Sequence, residues 1–284
     1  MPLKKFCSLF SLSVLVSACS GASQPDVKGL ATVNGIQMYY ETYGAKQDIP
    51  LLLIHGGAST IESTFGKIIS LLAKNQYLIA IEEQAHGRTA DRNAPLRFKT
   101  SAEDAIALLE HLKIGKADVF GFSNGASIAM RMAIQHPNKI RKLIFASSLT
   151  RRSGAPAQLW DFIAKSDISQ MPEPLKQAFL KVNGDPEKLK NLHAKTRERM
   201  VNFQDTPNEE VRLIQAETLI LTGDRDVAIL EHSLELVRTI PKARLMILPF
   251  GHGDYIGEAS SLPADSRIPD FTVGFIEDFL HKPF

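Results

Sequence analysis

Cysteine is nearly missing from this chain. Its 284 residues hold two, Cys7 and Cys19, too few for a disulfide framework, so the fold must be held by its apolar core. Neither charge dominates: 33 lysines and arginines face 31 acidic residues, and a formal net charge of +2 leaves no electrostatic footprint for nucleic acid. No pair of histidines or cysteines has the spacing of a metal site, and no Walker-type loop is present to cradle phosphates, so no metal and no cofactor are expected. Internal repeats, low-complexity tracts and long linkers are also lacking, which argues against an independent second domain. What is present, 44% hydrophobic residues over this length, suffices for one large core or two modest ones.

The amino terminus carries a targeting pattern. Lys4 and Lys5 precede an apolar run from Phe6 to Ala18, about the length of a secretory core and too short to cross a bilayer as a helix. The run ends in Leu15-Val16-Ser17-Ala18-Cys19, which resembles the bacterial lipoprotein signal, where small residues precede a cysteine that is lipidated and becomes the first residue. The resemblance implies a signal peptide over residues 1–18 and lipidation of Cys19. Loss of Lys4 and Lys5 leaves 31 basic against 31 acidic residues. Residues 19–28, small, polar and interrupted by Pro25, read as a tether. The expected location is the exported side of a bacterial cell envelope, at the outer membrane or cell surface, with membrane contact through the lipid.

Apolar runs alternate with helical patterns through the remainder. Asn34-Gly35 within Thr32 to Glu41 is a strong hairpin signal and predicts two antiparallel strands. Leu51 to Ile54, Tyr77 to Ile81, Ala117 to Phe120, Leu143 to Ala146, Thr218 to Leu221 and Arg244 to Leu248 read as parallel strands covered on both faces. Helical patterns near Ile61 to Ala73, Ala102 to Leu112, Ala126 to Gln135, Leu230 to Ile240 and Phe271 to Leu280 complete an α/β class, a mostly parallel doubly wound sheet. From about Arg151 to Gln215 no strand-like run occurs; proline-punctuated helical stretches predict an insertion.

Gly121-Phe122-Ser123-Asn124-Gly125 lies between a predicted strand and a predicted helix. A Gly-x-Ser-x-Gly turn there is so tight that glycines must flank the serine, whose hydroxyl is left exposed above the sheet. A serine hydroxyl becomes a nucleophile at neutral pH only beside a base that is itself oriented by a third group.

From about Gly29 to its end the chain resembles the α/β-hydrolase superfamily. Four landmarks occur in order: His55-Gly56-Gly57, Gly121 to Gly125, Gly223-Asp224-Arg225-Asp226, and Gly251-His252-Gly253. All sit at carboxyl ends of predicted strands, where open α/β sheets bind ligands. The resemblance implies Ser123 as nucleophile, His252 as general base and acid, and Asp226, three residues after Gly223, as the orienting carboxylate, with Asp224 the competing choice. It implies an oxyanion hole from the backbone N–H groups of Gly57 and Asn124, structural roles for His86 and for His55, the runner-up to His252 as base, and a domain over residues 29–284 with a helical cap at about 151–215. His111, His136, His193, His232 and His281 read as surface or helix-end residues.

The expected activity is carboxylic ester hydrolysis through an acyl-enzyme, on a small-molecule ester or related acyl substrate. Lactone hydrolysis, carbon–carbon bond hydrolysis and perhydrolysis on the same residues are alternatives, with a noncatalytic envelope lipoprotein the more distant one. The loop His55-Gly56-Gly57-Ala58 lacks the proline of the form typical of proline iminopeptidases, which counts against peptidase activity. Serine at the elbow excludes relatives that use aspartate there. Trp160, Phe162, Met171, Phe179, Leu180 and Phe203 are candidates to line the pocket beneath the cap, or equally to pack the cap onto the sheet. No protein partner is implied.

Overall fold

Asn34 and Gly35 reverse the chain with left-handed backbone, φ +44 and +82 degrees, the requirement of the two-residue hairpin turn. The computed structural model describes residues 24–261 and 265–282; the expected signal peptide and Cys19 lie outside them. Strands β1 (Val27–Val33) and β2 (Ile36–Tyr43) pair antiparallel through that turn, from Val27 opposite Thr42 to Val33 opposite Ile36. β3 (Leu51–Ile54), β4 (Leu78–Ile81), β5 (Ala117–Phe122), β6 (Ile140–Ala146), β7 (Glu217–Arg225) and β8 (Ala243–Gly251) follow. One eight-stranded sheet results, in the order β1-β2-β4-β3-β5-β6-β7-β8, parallel from β4 to β8. It is an α/β-hydrolase fold, mostly parallel with an antiparallel amino-terminal hairpin.

Strand alternation divides the core in two. Leu52 and Ile54 of β3 face one side, packed with α3 (Phe98–His111), α4 (Asn124–Gln135) and α9 (Leu230–Thr239); Leu51 and Leu53 face the other, with α1 (Ile61–Phe65), α2 (Ile69–Leu72) and α10 (Ile268–His281). The pattern from Ile61 to Ala73 thus forms two short helices rather than one. The first ends at Gly66, a residue that disfavours helix continuation. β8 differs from its expected burial on both faces. It is an edge strand, with half-buried and exposed positions interspersed, and Ile247 is 42% exposed.

Between β6 and β7 the chain makes α5 (Ala157–Lys165), α6 (Glu173–Asn183), α7 (Pro186–Val201) and α8 (Asn208–Val211), and no strand among the described residues. Pro156, Pro172, Pro186 and Pro207 stand at the starts of these four helices, where a missing N–H costs nothing. This helical layer lies over the carboxyl ends of the strands and forms one wall of the candidate site. Among the described residues no helix is long and apolar enough to cross a membrane.

Candidate active site

β5 runs into α4 through Ser123 alone, with φ +53 and ψ −120 degrees. A non-glycine residue at positive φ is strained, and the neighbours show why the strain is held. A Cβ on Gly121 would lie 2.3 Å from the Gly125 carbonyl oxygen, and one on Gly125 would lie 2.1 Å from that of Ile54. The Ser123 N–H donates to the Ala146 oxygen at 2.8 Å, tying the turn to β6. Ser123 then opens onto a cavity of about 190 Å³ that Gly57, Asn124 and His252 also line.

Asp226 and His252 reach this place from the ends of β7 and β8. His252 Nδ1 lies 2.7 Å from Asp226 Oδ1. The carboxylate has no exposed surface, and it accepts from four further donors: the Val227 N–H at 2.7 Å, the Gly223 N–H at 3.0 Å, the Thr222 hydroxyl at 3.2 Å and the Ser147 hydroxyl. Burial opposes its charge, but the hydrogen bond and charge of His252, with Ser147 and the Gly223 N–H, hold Asp226 below the usual carboxylate range. An ionised Asp226 makes Nδ1 the donor, which leaves Nε2 as the acceptor of the ring. The imidazole leans on Phe122, ring centres 4.8 Å apart. Asp224, two residues earlier near the end of β7, is 44% exposed, with its carboxylate 3.8 Å from Arg225 Nε.

The loop after β3 is braced by two buried imidazoles. His55 donates from Nδ1 to the Gly56 oxygen at 2.7 Å and accepts the Glu83 N–H on Nε2 at 3.2 Å. His86 donates from Nδ1 to the Gln84 oxygen at 2.9 Å and accepts the Ala58 N–H on Nε2 at 3.0 Å. Ala58 has φ +58 degrees, so His86 fixes a strained residue next to Gly57. Burial keeps both rings neutral: it lowers His55, and it pushes His86 down to about 3. Glu83 lies between them, paired with Arg199 at 2.8 and 3.0 Å and accepting from Ser101 at 3.0 Å. Burial opposes its charge too, but Arg199 prevails and holds it near 2. His55, Glu83 and His86 bring ligand-type atoms within 4.8 Å of one another, but these hydrogen bonds already engage every ring nitrogen and both Glu83 oxygens. The cluster braces the loop.

The cavity walls divide the six candidates between lining and packing. Phe203 is there, with Leu149, Leu159, Ile163, Met200 and Val227. Met171 and Phe179 are instead buried inside the helical layer with Leu175, Leu189 and Leu192, and Leu180 packs against that cluster. Trp160 packs behind Phe203, and Phe162 is 54% exposed. Leu159 and Ile163 on α5, like Thr196 and Met200 on α7, are pairs four residues apart that share a helix face, a signal present in the sequence. Ser147, which binds Asp226, had no comparable signal. His232 stands in the first turn of α9, the helix-end position expected, but is buried there, accepting the Thr150 N–H at 3.0 Å where the helical layer begins.

A sequence model described as the alpha/beta hydrolase fold matches residues 49–202. Among curated proteins, the chain is 24% identical over 249 residues to serine hydrolase BPHL of Homo sapiens, covering 83% of this chain and 82% of that one. It is 25% identical over 274 residues to 2-hydroxymuconate semialdehyde hydrolase of Pseudomonas sp. (strain CF600), covering 88% and 95%. Among solved structures, an alpha/beta hydrolase fold protein from Chitinophaga pinensis superposes with a TM-score of 0.71 at 24% identity, over 92% of this chain and 99% of that one. At that identity the superposition speaks for the fold.

Proposed function

We propose that this chain, which belongs to the α/β-hydrolase family, is a serine hydrolase that cleaves carboxylic esters through an acyl-enzyme on Ser123. Ser123 Oγ attacks the acyl carbon while His252 Nε2 takes its proton. Asp226 holds the ring in the tautomer that leaves Nε2 free and stabilises the imidazolium. The tetrahedral oxyanion is received by the N–H groups of Asn124, at the start of α4, and Gly57. His252 returns the proton to the departing alcohol. Water, activated by the same imidazole, then frees the acid and restores Ser123.

The observation that carries this reading is the pairing of His252 with the buried, five-times hydrogen-bonded carboxylate of Asp226 at the rim of the cavity onto which Ser123 opens. A surface ion pair has no need of such a shell. A fluorophosphonate probe should label Ser123, as mapped by peptide mass spectrometry, and Ser123→Ala should remove both the label and turnover of p-nitrophenyl butyrate. Labelling elsewhere with Ser123 unmodified would overturn it.

A second reading, carbon–carbon bond hydrolysis, is favoured by the likeness to the semialdehyde hydrolase over nearly the whole chain. It needs a proton delivered to carbon rather than to an alcohol oxygen. A panel of simple esters, lactones and vinylogous 1,5-diketones separates the two.

The same proposal places the enzyme outside the inner membrane, held by lipid on Cys19. Its support is the sequence Lys4-Lys5, the apolar run and Ala18-Cys19. A single acyl chain binds only reversibly, so a stable anchor takes more than one. The protein should fractionate with membranes in a lipoprotein-competent host and leave them on Cys19→Ala, while a chain starting at Ser20 stays soluble and active.

A further inference from the structure

Phe203 lines two cavities at once. On one side is the cavity of about 190 Å³ that holds Ser123 and His252; on the other is a cleft of about 440 Å³ walled by Phe98 and Phe203 and edged by Arg97, Lys99, Arg131 and Arg199. The ring is buried, its centre 5.4 Å from that of Trp160 and 6.1 Å from that of Phe98. It is therefore clamped between aromatic neighbours.

The two spaces differ in chemistry. His252 is the one basic or acidic side chain of the first. In the second, Arg131 and Arg199 are engaged by Glu210 and Glu83, which leaves Arg97 and Lys99 against Glu198. A positive charge remains in excess, and the amino-terminal end of α3 adds to it.

We propose that Phe203 is the partition that sets the substrate class of the Ser123 site, admitting a compact uncharged acyl chain and shutting a carboxylate-bearing end off from Arg97 and Lys99. This rests on the reading of Ser123 as nucleophile. An apolar cavity of about 150 Å³ takes up benzene, so the space before Phe203 holds about six to eight carbons. A carboxylate there would meet no lysine or arginine, and burying one without such a partner is strongly unfavourable.

Equilibrium binding of linear 1-alkanols and matching ω-hydroxycarboxylates to the folded protein, followed by calorimetry, tests the partition without requiring turnover. For the native protein, each added methylene should tighten binding about fourfold until about octanol and then stop. For Phe203→Ala the gain should continue to dodecanol. In that variant 12-hydroxydodecanoate should bind at least about tenfold tighter than to the native protein, and the gain should vanish when Arg97 and Lys99 are also changed to alanine. Phe203→Leu, which keeps most of the apolar volume, should extend the ceiling by fewer carbons, and it decides the matter if Phe203→Ala fails to fold. A ceiling at the same chain length in the native protein and Phe203→Leu overturns the partition, as does equal binding of 12-hydroxydodecanoate to the native protein and Phe203→Ala. Hydrolysis of p-nitrophenyl butyrate, measured in parallel, reports separately on Ser123.

Discussion

Arg199 and Glu83 form a two-pronged ion pair with both side chains 2% exposed, joining α7 of the helical layer to the residue two positions beyond β4. Glu83 stands beside the imidazoles that brace the Gly57 loop, and Arg199 lies on the helix that carries Thr196 and Met200 to the cavity. One buried contact thus links the wall of the pocket to the loop over the nucleophile.

Removing one partner strands the other charge in the interior. Arg199→Ala should destabilise the protein by about 3–5 kcal/mol, whereas the double change Arg199→Met with Glu83→Gln should cost much less. Urea denaturation midpoints check the ranking; equal losses would show that the pair matters for packing alone.

Asp226→Asn replaces an acceptor with an amide that can stabilise the wrong imidazole tautomer. Ester turnover should fall by about three to four orders of magnitude, with the exposed Asp224→Asn changing it by less than about threefold. Steady-state kcat for a p-nitrophenyl ester measures both, and the opposite ranking would move the orienting role to Asp224.

Ser147, held at φ +51 degrees, donates to Asp226 and meets the buried Tyr255 hydroxyl. Ser147→Ala removes one of the five donors that fix the carboxylate, so Asp226 is held less firmly toward His252. Steady-state kcat for a p-nitrophenyl ester should fall about tenfold with KM little changed. An unchanged kcat would reduce Ser147 to a packing role.

Burial first, then the charge of Arg151, pushes His232 down to about 4 from an ordinary 6.5. Between those values the unfolded chain binds a proton that the folded one refuses, so stability should be level above about pH 6.5 and decline toward pH 4. His86, pushed down to about 3 by burial, acts in the same direction over a wider range. Denaturant unfolding at pH 7.5, 6 and 5 should show a shallower decline for His232→Gln than for the native protein.

Local sequence determined a large share of this molecule. Asn34-Gly35 specified the hairpin because few residue pairs tolerate two left-handed positions, and the apolar runs located the six later strands, five of them because a strand covered by helices needs apolar residues on both faces. Gly121 and Gly125 marked the turn at Ser123 because no side chain fits against the Gly125 and Ile54 carbonyls. The tertiary structure alone decided what depends on residues distant in the chain. It made β8 an edge strand because nothing pairs beyond it among the described residues, and it turned Phe179 and Met171 inward because the helical layer needs a core of its own. It brought Ser147 to Asp226 across 79 positions. Periodicity reports which residues avoid water, but which of them meet is set by the packing of whole elements, and that information is not local.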